Sequence, residues 1–535
     1  MEQKLGAAGS VPLTTSPWAP LHRPLFRSIW IATLASNIGT WMHDVGAAWL
    51  MTSLAPSPLM VSLVQAATTL PMFLFALPAG VLADIVDRRR LLIAAQCVML
   101  VAAVVLGALQ YMGLVTPTVL LVATFVLGIG AALDAPPFQA IVPELVPKQD
   151  LPPAVALNSL GINIARSIGP ALGGLIVAMS GPALVFVLNG ISLLGVLITF
   201  LRWRREPRSG ALPPERFFGA VRAGVRYVRQ APELNTVLVR AAAFFAFASA
   251  TWALLPLLAR QRLGVEAGGY GVLLGFIGAG AVLGAIVLPK LRSRLPANRV
   301  TAAATLVFCG VALGFAHVRR FEVACAVAFL GGIGWISMLS TLNVAAQMAL
   351  PNWVKARTLA VYIVVQNGAM AAGSAVWGGL ATRFDIPTAL TVAAVGQVIA
   401  LALVWRWRLP SEVPNLTPSL HWPTPLVAAD PERGPVLVTV EYDVAADRSA
   451  AFVAGMDEMR RIRLRDGAIH WGLFEDAAHP GRWLEVFELE SWVEHLRQHE
   501  RVTEADRAAQ DRVRAFHTGE RPPLVSHLVG PRRAE

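Results

Sequence analysis

Three observations predict an all-α membrane protein of twelve transmembrane helices in two six-helix halves, followed by a C-terminal α+β domain. The chain's 535 residues are 55% hydrophobic and 15% charged, with a mean hydropathy of +0.56, whereas soluble domains carry roughly a quarter charged residues. No soluble core absorbs that much apolar surface. Twelve apolar stretches of about 20 residues, the length that crosses a bilayer, lie before residue 408. Beyond it the pattern turns to short strands and polar helices in the order β-α-β-β-α-β.

Residues 1–27 carry Pro and Ser but no apolar core followed by a small-residue cleavage site, so they read as a cytoplasmic tail and not a signal peptide. The N-terminal six-helix half, 28–203, holds spans near 28–52, 59–82, 91–112, 117–137, 155–178 and 182–203. A cytoplasmic linker, 204–234, follows. In it Phe217, Val221, Val225 and Val228 make one apolar stripe while arginines cluster elsewhere. That is the pattern of a helix lying on an anionic leaflet or of a solvated linker helix. The C-terminal six-helix half, 235–408, holds spans near 235–258, 269–289, 299–317, 321–344, 357–380 and 387–407. The Pro-rich stretch 409–434 reads as a linker and 435–535 as a soluble domain. Strands are expected at Val436–Val444, Ala468–Asp476, Trp483–Leu489 and Leu524–Val529, with helices at Arg448–Leu464 and, as one long element, Trp492–Phe516. This order is the ferredoxin-like pattern.

The formal net charge of +11 invites a nucleic-acid reading, which its distribution rejects. From Pro435 onward there are 14 Lys and Arg against 18 Asp and Glu, leaving 31 against 16 for the part before it. The positive charge belongs to the membrane portion. Loops after even-numbered spans carry 18 Lys and Arg and those after odd-numbered spans carry 5, which places both termini in the cytoplasm. Cys97, Cys309 and Cys325 each sit inside an apolar run, so no disulfide framework is expected.

Charges inside spans are costly and stand as functional candidates. Asp44 lies slightly past the middle of the first span, beside His43 and Trp41 and about two turns after Asn37. A carboxyl group there suits proton uptake and release, or else it is held permanently by a cation. Arg166 in the fifth span is the expected partner. Asp134, before Ala-Pro-Pro in the fourth span where a helix break is expected, is a candidate gate residue contacting Arg88 to Arg90 or Arg166. Arg240, early in the seventh span, is expected to snorkel to the interface. Asn37, Trp41, Asn343, Gln347 and Gln366 project polar or aromatic groups from spans or their ends and are the candidate substrate contacts.

The stretch Gly80-Val-Leu-Ala-Asp84-Ile-Val-Asp87-Arg88-Arg89-Arg90 combines a glycine that permits close helix approach, carboxylates at a helix end and a basic cluster. It resembles the signature between the second and third spans of major facilitator superfamily transporters, in which Gly80, Asp84, Asp87 and Arg88 to Arg90 would form a cytoplasmic gate. Gly169-Pro170-Ala-Leu-Gly173-Gly174 resembles the helix-bending element of exporting members, with Gly161 matching but Ala165 standing where that element has a further glycine. The stretches Asn37 to Trp49, Ala83 to Arg90, and Leu157 to Gly161 with Ala165 to Pro170 look like the enterobactin-exporter-like branch. The likeness covers about 25–408. It implies the major facilitator fold, two halves enclosing a substrate near the bilayer midplane, and proton-driven export of siderophores, macrolides or other amphipathic compounds.

The soluble tail is similar to antibiotic-biosynthesis-monooxygenase-like dimeric α/β-barrel domains, which implies a homodimer through this domain. His495 and His499 stand one turn apart on a predicted helix, with Glu500 and His517 near in sequence. No His-Glu-x-x-His motif, no cysteine and no assured third ligand accompanies them, so no metal site is assigned. Trp471, Trp483 and Trp492 either line a pocket or pack in a core. No nucleophile–base constellation, phosphate loop or cofactor fingerprint is present. The expected protein is a multi-pass transporter of the bacterial inner membrane that needs no cofactor beyond the proton gradient. Its partners are a small-molecule substrate and the bilayer, with no nucleic acid. Uptake, or a sensor or enzyme role of the tail, are the competing readings.

Overall fold

The computed structural model describes residues 16–203, 217–351, 353–409, 415–419, 421–422 and 433–531. The first long helices are α1 (Pro24–Leu54), α2 (Pro58–Ile85), α3 (Arg88–Tyr111), α4 (Pro117–Leu145), α5 (Leu151–Ser180) and α6 (Pro182–Arg202). A shorter helix, α7 (Phe217–Gln230), leads into α8 (Pro232–Gln261), α9 (Ala267–Arg292), α10 (Ala297–His317), α11 (Phe321–Met348), α12 (Lys355–Arg383) and α13 (Ile386–Val404). Many starts use proline in the first turn, where its missing N–H costs nothing. Others are capped by side chains. The Asp87 carboxylate accepts from the Arg90 N–H, and Asp385 accepts from the Thr388 N–H.

Among the described residues, eleven helices are long and apolar enough to cross a membrane by length and composition. Helix α1 has the length, but Arg27, Asn37, His43 and Asp44 dilute its hydrophobicity. It nonetheless packs along α5 and α6 within the bundle. Asn37, His43 and Asp44 face a cavity inside the bundle, so they lower the average without facing lipid.

In the first half α1 packs on α5 and α6, α3 on α4 and α6, and α2 on α4. In the second, α9 and α10 flank α11, and α8 and α10 pack on α13. The halves meet along α2–α12 and α5–α9. The break expected after Asp134 does not occur. Helix α4 runs through Pro136, Pro137 and Pro143 to Leu145, as membrane helices do when packed neighbours hold the freed backbone groups.

The C-terminal domain comprises β1 (Val436–Asp443), α14 (Ser449–Asp466), β2 (His470–Glu475), β3 (Arg482–Leu489), α15 (Trp492–Arg501), α16 (Glu504–Arg514) and β4 (Leu524–Val529). The strands pair antiparallel in the order β2-β3-β1-β4. Val436, Val438, Val440, Tyr442, Phe487 and Leu489 form the buried side beneath the helices. The opposite face leaves Phe474, Leu524 and Leu528 exposed. The single helix expected over Trp492–Phe516 is two, because Thr503 and Asp506 close a capping box that starts a new helix.

The stripe residues Phe217 and Val221 of α7 have side chains outside the described ones. The helix itself is held between the bundle, where it meets α12, α2 and α8, and α14 of the C-terminal domain. The end of the bundle that carries α7 and this domain is called proximal below, and the opposite end distal.

Candidate functional site

A cavity of about 710 Å³ lies among the first six helices. On α1, Trp30, Leu34, Asn37, Thr40 and Asp44 recur at three- and four-residue intervals and so share one face, which lines it. Helix α4 contributes Leu127, Ala131, Asp134, Phe138 and Val142 at the same period, and α5 contributes Leu151, Val155 and Asn158. The cavity extends from Asp44, deep in α1, to Val142, Pro143 and Leu151 at the proximal ends of their helices. Its lining mixes apolar rings and thioethers with Asn37, Gln96, Asn189 and two carboxylates, Asp44 and Asp134, and among the described residues includes no Lys or Arg.

Asp134 does not reach Arg88 to Arg90 or Arg166. Its carboxylate accepts from Gln96 Nε2 at 2.9 Å. No ion pair joins Asp44 to Arg166 among the described residues either. The Arg166 guanidinium rests 5.8 Å over the ring of Trp41, and its buried Nε has no hydrogen-bond partner. Trp41 is therefore spent on packing, with its Cβ against Gly169, whereas Asn37 faces the cavity. Asn343 and Gln347 bond to each other, Gln347 Nε2 donating to Asn343 Oδ1 at 2.7 Å, at the proximal end of α11. Gln366 is half-buried in α12. None of these last three lines the cavity. Arg240 does not snorkel; it is buried and donates from Nε to the Trp407 carbonyl and from Nη1 to Thr301 Oγ1.

The basic cluster is engaged inside the first half. Arg88 donates to Glu144 at 2.8 Å and to the Ala140 carbonyl, and Arg89 donates to the carbonyls of Phe200 and Leu201. Together they tie the start of α3 to α4 and α6. A Cβ at Gly80 would meet nothing within 4 Å, and the Asp84 side chain lies outside the described residues. The fifth-span glycines serve close approach: a Cβ at Gly173 would lie 2.8 Å from Met42 Cα, and one at Gly174 would strike Gly271 of α9.

That crossing belongs to a distal seal. Arg260 donates to Thr52 Oγ1 at 2.9 Å and to Ser53 Oγ, and lies over Trp49, which stacks on Tyr270 at 5.9 Å. The Leu59 N–H donates to Thr382 Oγ1 at 3.0 Å. An apolar cluster including Met51, Leu254, Leu258, Leu273 and Phe186 fills the space behind these contacts.

Sequence reasoning missed a second junction, between the bundle and the C-terminal domain. Tyr227 of α7 is buried, its hydroxyl donates to the Ala349 carbonyl at 3.2 Å, and its ring meets Trp353 edge-on. Arg465 sits 5.6 Å over Tyr227 and Arg501 sits 4.7 Å over Trp353. Burial pushes the Tyr227 hydroxyl up from its ordinary pKa, so it stays a donor. Arg465 is held by Asp466 and Asp506, and Arg501 by Glu494 and the Asp466 carbonyl. The available signal was an aromatic residue on a helix otherwise rich in arginine.

The family model described as transmembrane secretion effector matches residues 15–535. The enterobactin exporter EntS of Escherichia coli O1:K1 / APEC is 27% identical over 417 residues, covering 74% of this chain and 96% of the exporter. The staphyloferrin A transporter of Staphylococcus aureus (strain NCTC 8325 / PS 47) is 22% identical over 362 residues, covering 68% and 90%. Among solved structures, a bacterial homolog of the human lysosomal transporter Spinster, inward-facing and unoccupied, superposes with a TM-score of 0.57 at 15% identity, covering 75% of this chain and 98% of that one. A bacterial homologue of the iron transporter ferroportin in the inward-facing state gives 0.57 at 14%, covering 72% and 98%. At these identities the structures establish the major facilitator fold.

Proposed function

The chain belongs to the transmembrane secretion effector family of major facilitator transporters, and from that membership we propose that it exports a small amphipathic organic molecule, of the siderophore or macrolide class, against proton entry. The observation that carries this reading is the cavity that runs from Asp44 toward the proximal end while both halves close the distal end. The Lys and Arg distribution assigns the proximal end to the cytoplasm of a bacterial inner membrane, with both termini there. The arrangement is then the loading state, and alternating access follows from rocking one half against the other. Two carboxylates, with no lining cation among the described residues, favour neutral or cationic groups and provide places for protons. Siderophore-like compounds come first because relatives are named for exporting enterobactin and transporting staphyloferrin A.

Asp44 is the proposed proton carrier. Arg166, one helix away and resting on Trp41, is its proposed partner in the outward-facing state. No cofactor is required beyond the proton gradient. The open sheet face with Phe474, Leu524 and Leu528 supports a homodimer, as in dimeric α/β-barrel domains.

The test is proton release on addition of siderophore-like and macrolide-like compounds to the purified chain, beside Asp44→Asn. Release that the substitution abolishes, with binding kept, supports antiport through Asp44. Binding with unchanged release moves coupling elsewhere, and binding with no release at all overturns proton antiport.

A further inference from the structure

We propose that the C-terminal domain carries a three-histidine site for a divalent transition-metal ion, formed by His495 and His499 of α15 and His527 of β4. One ring nitrogen from each lies within 4.8 Å of the others. The helix supplies two imidazoles one turn apart, and the sheet supplies the third ligand that the sequence left unassigned: His527 pairs with Val438, so it falls on the helix-covered side of the sheet.

The spacing of the ring nitrogens suits a metal ion. His499 Nε2 and His495 Nε2 stand 3.2 Å apart, within hydrogen-bond distance. An ion about 2.05 Å from each would see them at about 103°, within the tetrahedral range. The rings of His495 and His527 lie 4.7 Å apart. His527 is exposed at the edge of the sheet, so its side chain is free to close the remaining gap. His495 is only 1% exposed, and its Nδ1 has no hydrogen-bond partner.

The surroundings set the coordination number and the class of ion. Arg463 faces the cluster, but Glu485 neutralises it through a 3.0 Å ion pair. His421 is not a fourth ligand, because one ring nitrogen meets Gln510 Oε1 at 2.9 Å and the other meets Ser419 Oγ. Trp422 packs edge-on against His499 at 4.9 Å and screens it. Three imidazoles therefore leave a fourth position for water or for a donor atom of a chelator. An all-nitrogen set selects Zn²⁺, Co²⁺, Ni²⁺, Cu²⁺ or Fe²⁺ over Mg²⁺ and Ca²⁺.

The experiment titrates Co²⁺ into the purified full chain carrying no polyhistidine tag. One equivalent giving the intense visible absorption of tetrahedral Co²⁺, displaced by Zn²⁺ and untouched by Mg²⁺, is the expected result. His527→Ala removes an exposed ligand and lowers Co²⁺ affinity by at least about 10-fold, with its melting midpoint in chelator unchanged. His499→Gln tests the helix side in the same way. Absence of stoichiometric Co²⁺ absorption in the parent chain overturns the site, as does a titration of both variants that matches the parent's.

Discussion

Asp44 and Asp134 show what single residues decide here. Both stand on cavity-facing stripes, but among the described residues only Asp134 has a side-chain donor, Gln96. Asp44→Asn is expected to abolish substrate-driven proton release while substrate affinity changes less than about 10-fold; parallel binding and pH-indicator titrations check it. Gln96→Leu withdraws the donor from a carboxylate, and a loss of about 1.5–3 kcal/mol is expected, read as a lowered melting midpoint in detergent. In the C-terminal domain, burial raises the Glu494 carboxyl, but Arg501 and Arg497 outweigh it and hold the group below its ordinary value of 4.5. Its contribution to stability is therefore complete above about pH 4.5 and fades as pH falls further, whereas Glu494→Gln flattens that acid limb of the melting profile. Both cavity carboxylates were legible in the sequence, since an acid inside an apolar span is conspicuous. That Arg166 stands apart from Asp44 in this conformation, against the expected pairing, was not. Span order fixes which helices are neighbours but not the rotation that turns Asp44 into the cavity and Arg166 onto Trp41.

At the scale of elements, the glycines of α5 are spacers with a direction. Gly174 and Gly271 let α5 and α9 touch backbone to backbone, so Gly174→Leu is expected to pry the distal seal apart and raise the outward-facing population. Spin-label distances across the distal ends of α1 and α8 should lengthen; unchanged distances would show that the seal does not depend on this crossing. Gly80→Leu has open space in this conformation and is expected to leave those distances alone. The sequence showed α5 to be glycine-rich, but a glycine's neighbour is a tertiary fact, and nothing local pointed to α9. The break after Trp492 has a local cause instead: Thr503-Glu-Ala-Asp506 is a capping-box pattern, overridden in the reading by polar residues that satisfy helix periodicity throughout. The ferredoxin-like strands were legible because alternation repeats within each strand and turn residues bound them.

For the whole molecule, the outcome that sequence could not reach is where the C-terminal domain sits. Arg465 on Tyr227 and Arg501 on Trp353 fix it to α7 and to the connection between α11 and α12. Each cation–aromatic contact is worth about 0.5–2 kcal/mol, so Trp353→Ala is expected to weaken docking roughly 2- to 30-fold, seen as faster amide exchange in α7 and α14 with exchange in β1 unchanged. Equal acceleration everywhere would mean that the domain itself had been destabilised. Two six-helix halves of similar size give the bundle a near-twofold appearance in projection. The docked domain removes that ambiguity, because it reaches the connection between α11 and α12 directly through Arg501 on Trp353 and packs on α7. A microscopist viewing single particles in a detergent micelle would therefore find the chain carrying its own fiducial mark, one that tells one half from the other and the two faces of the membrane apart.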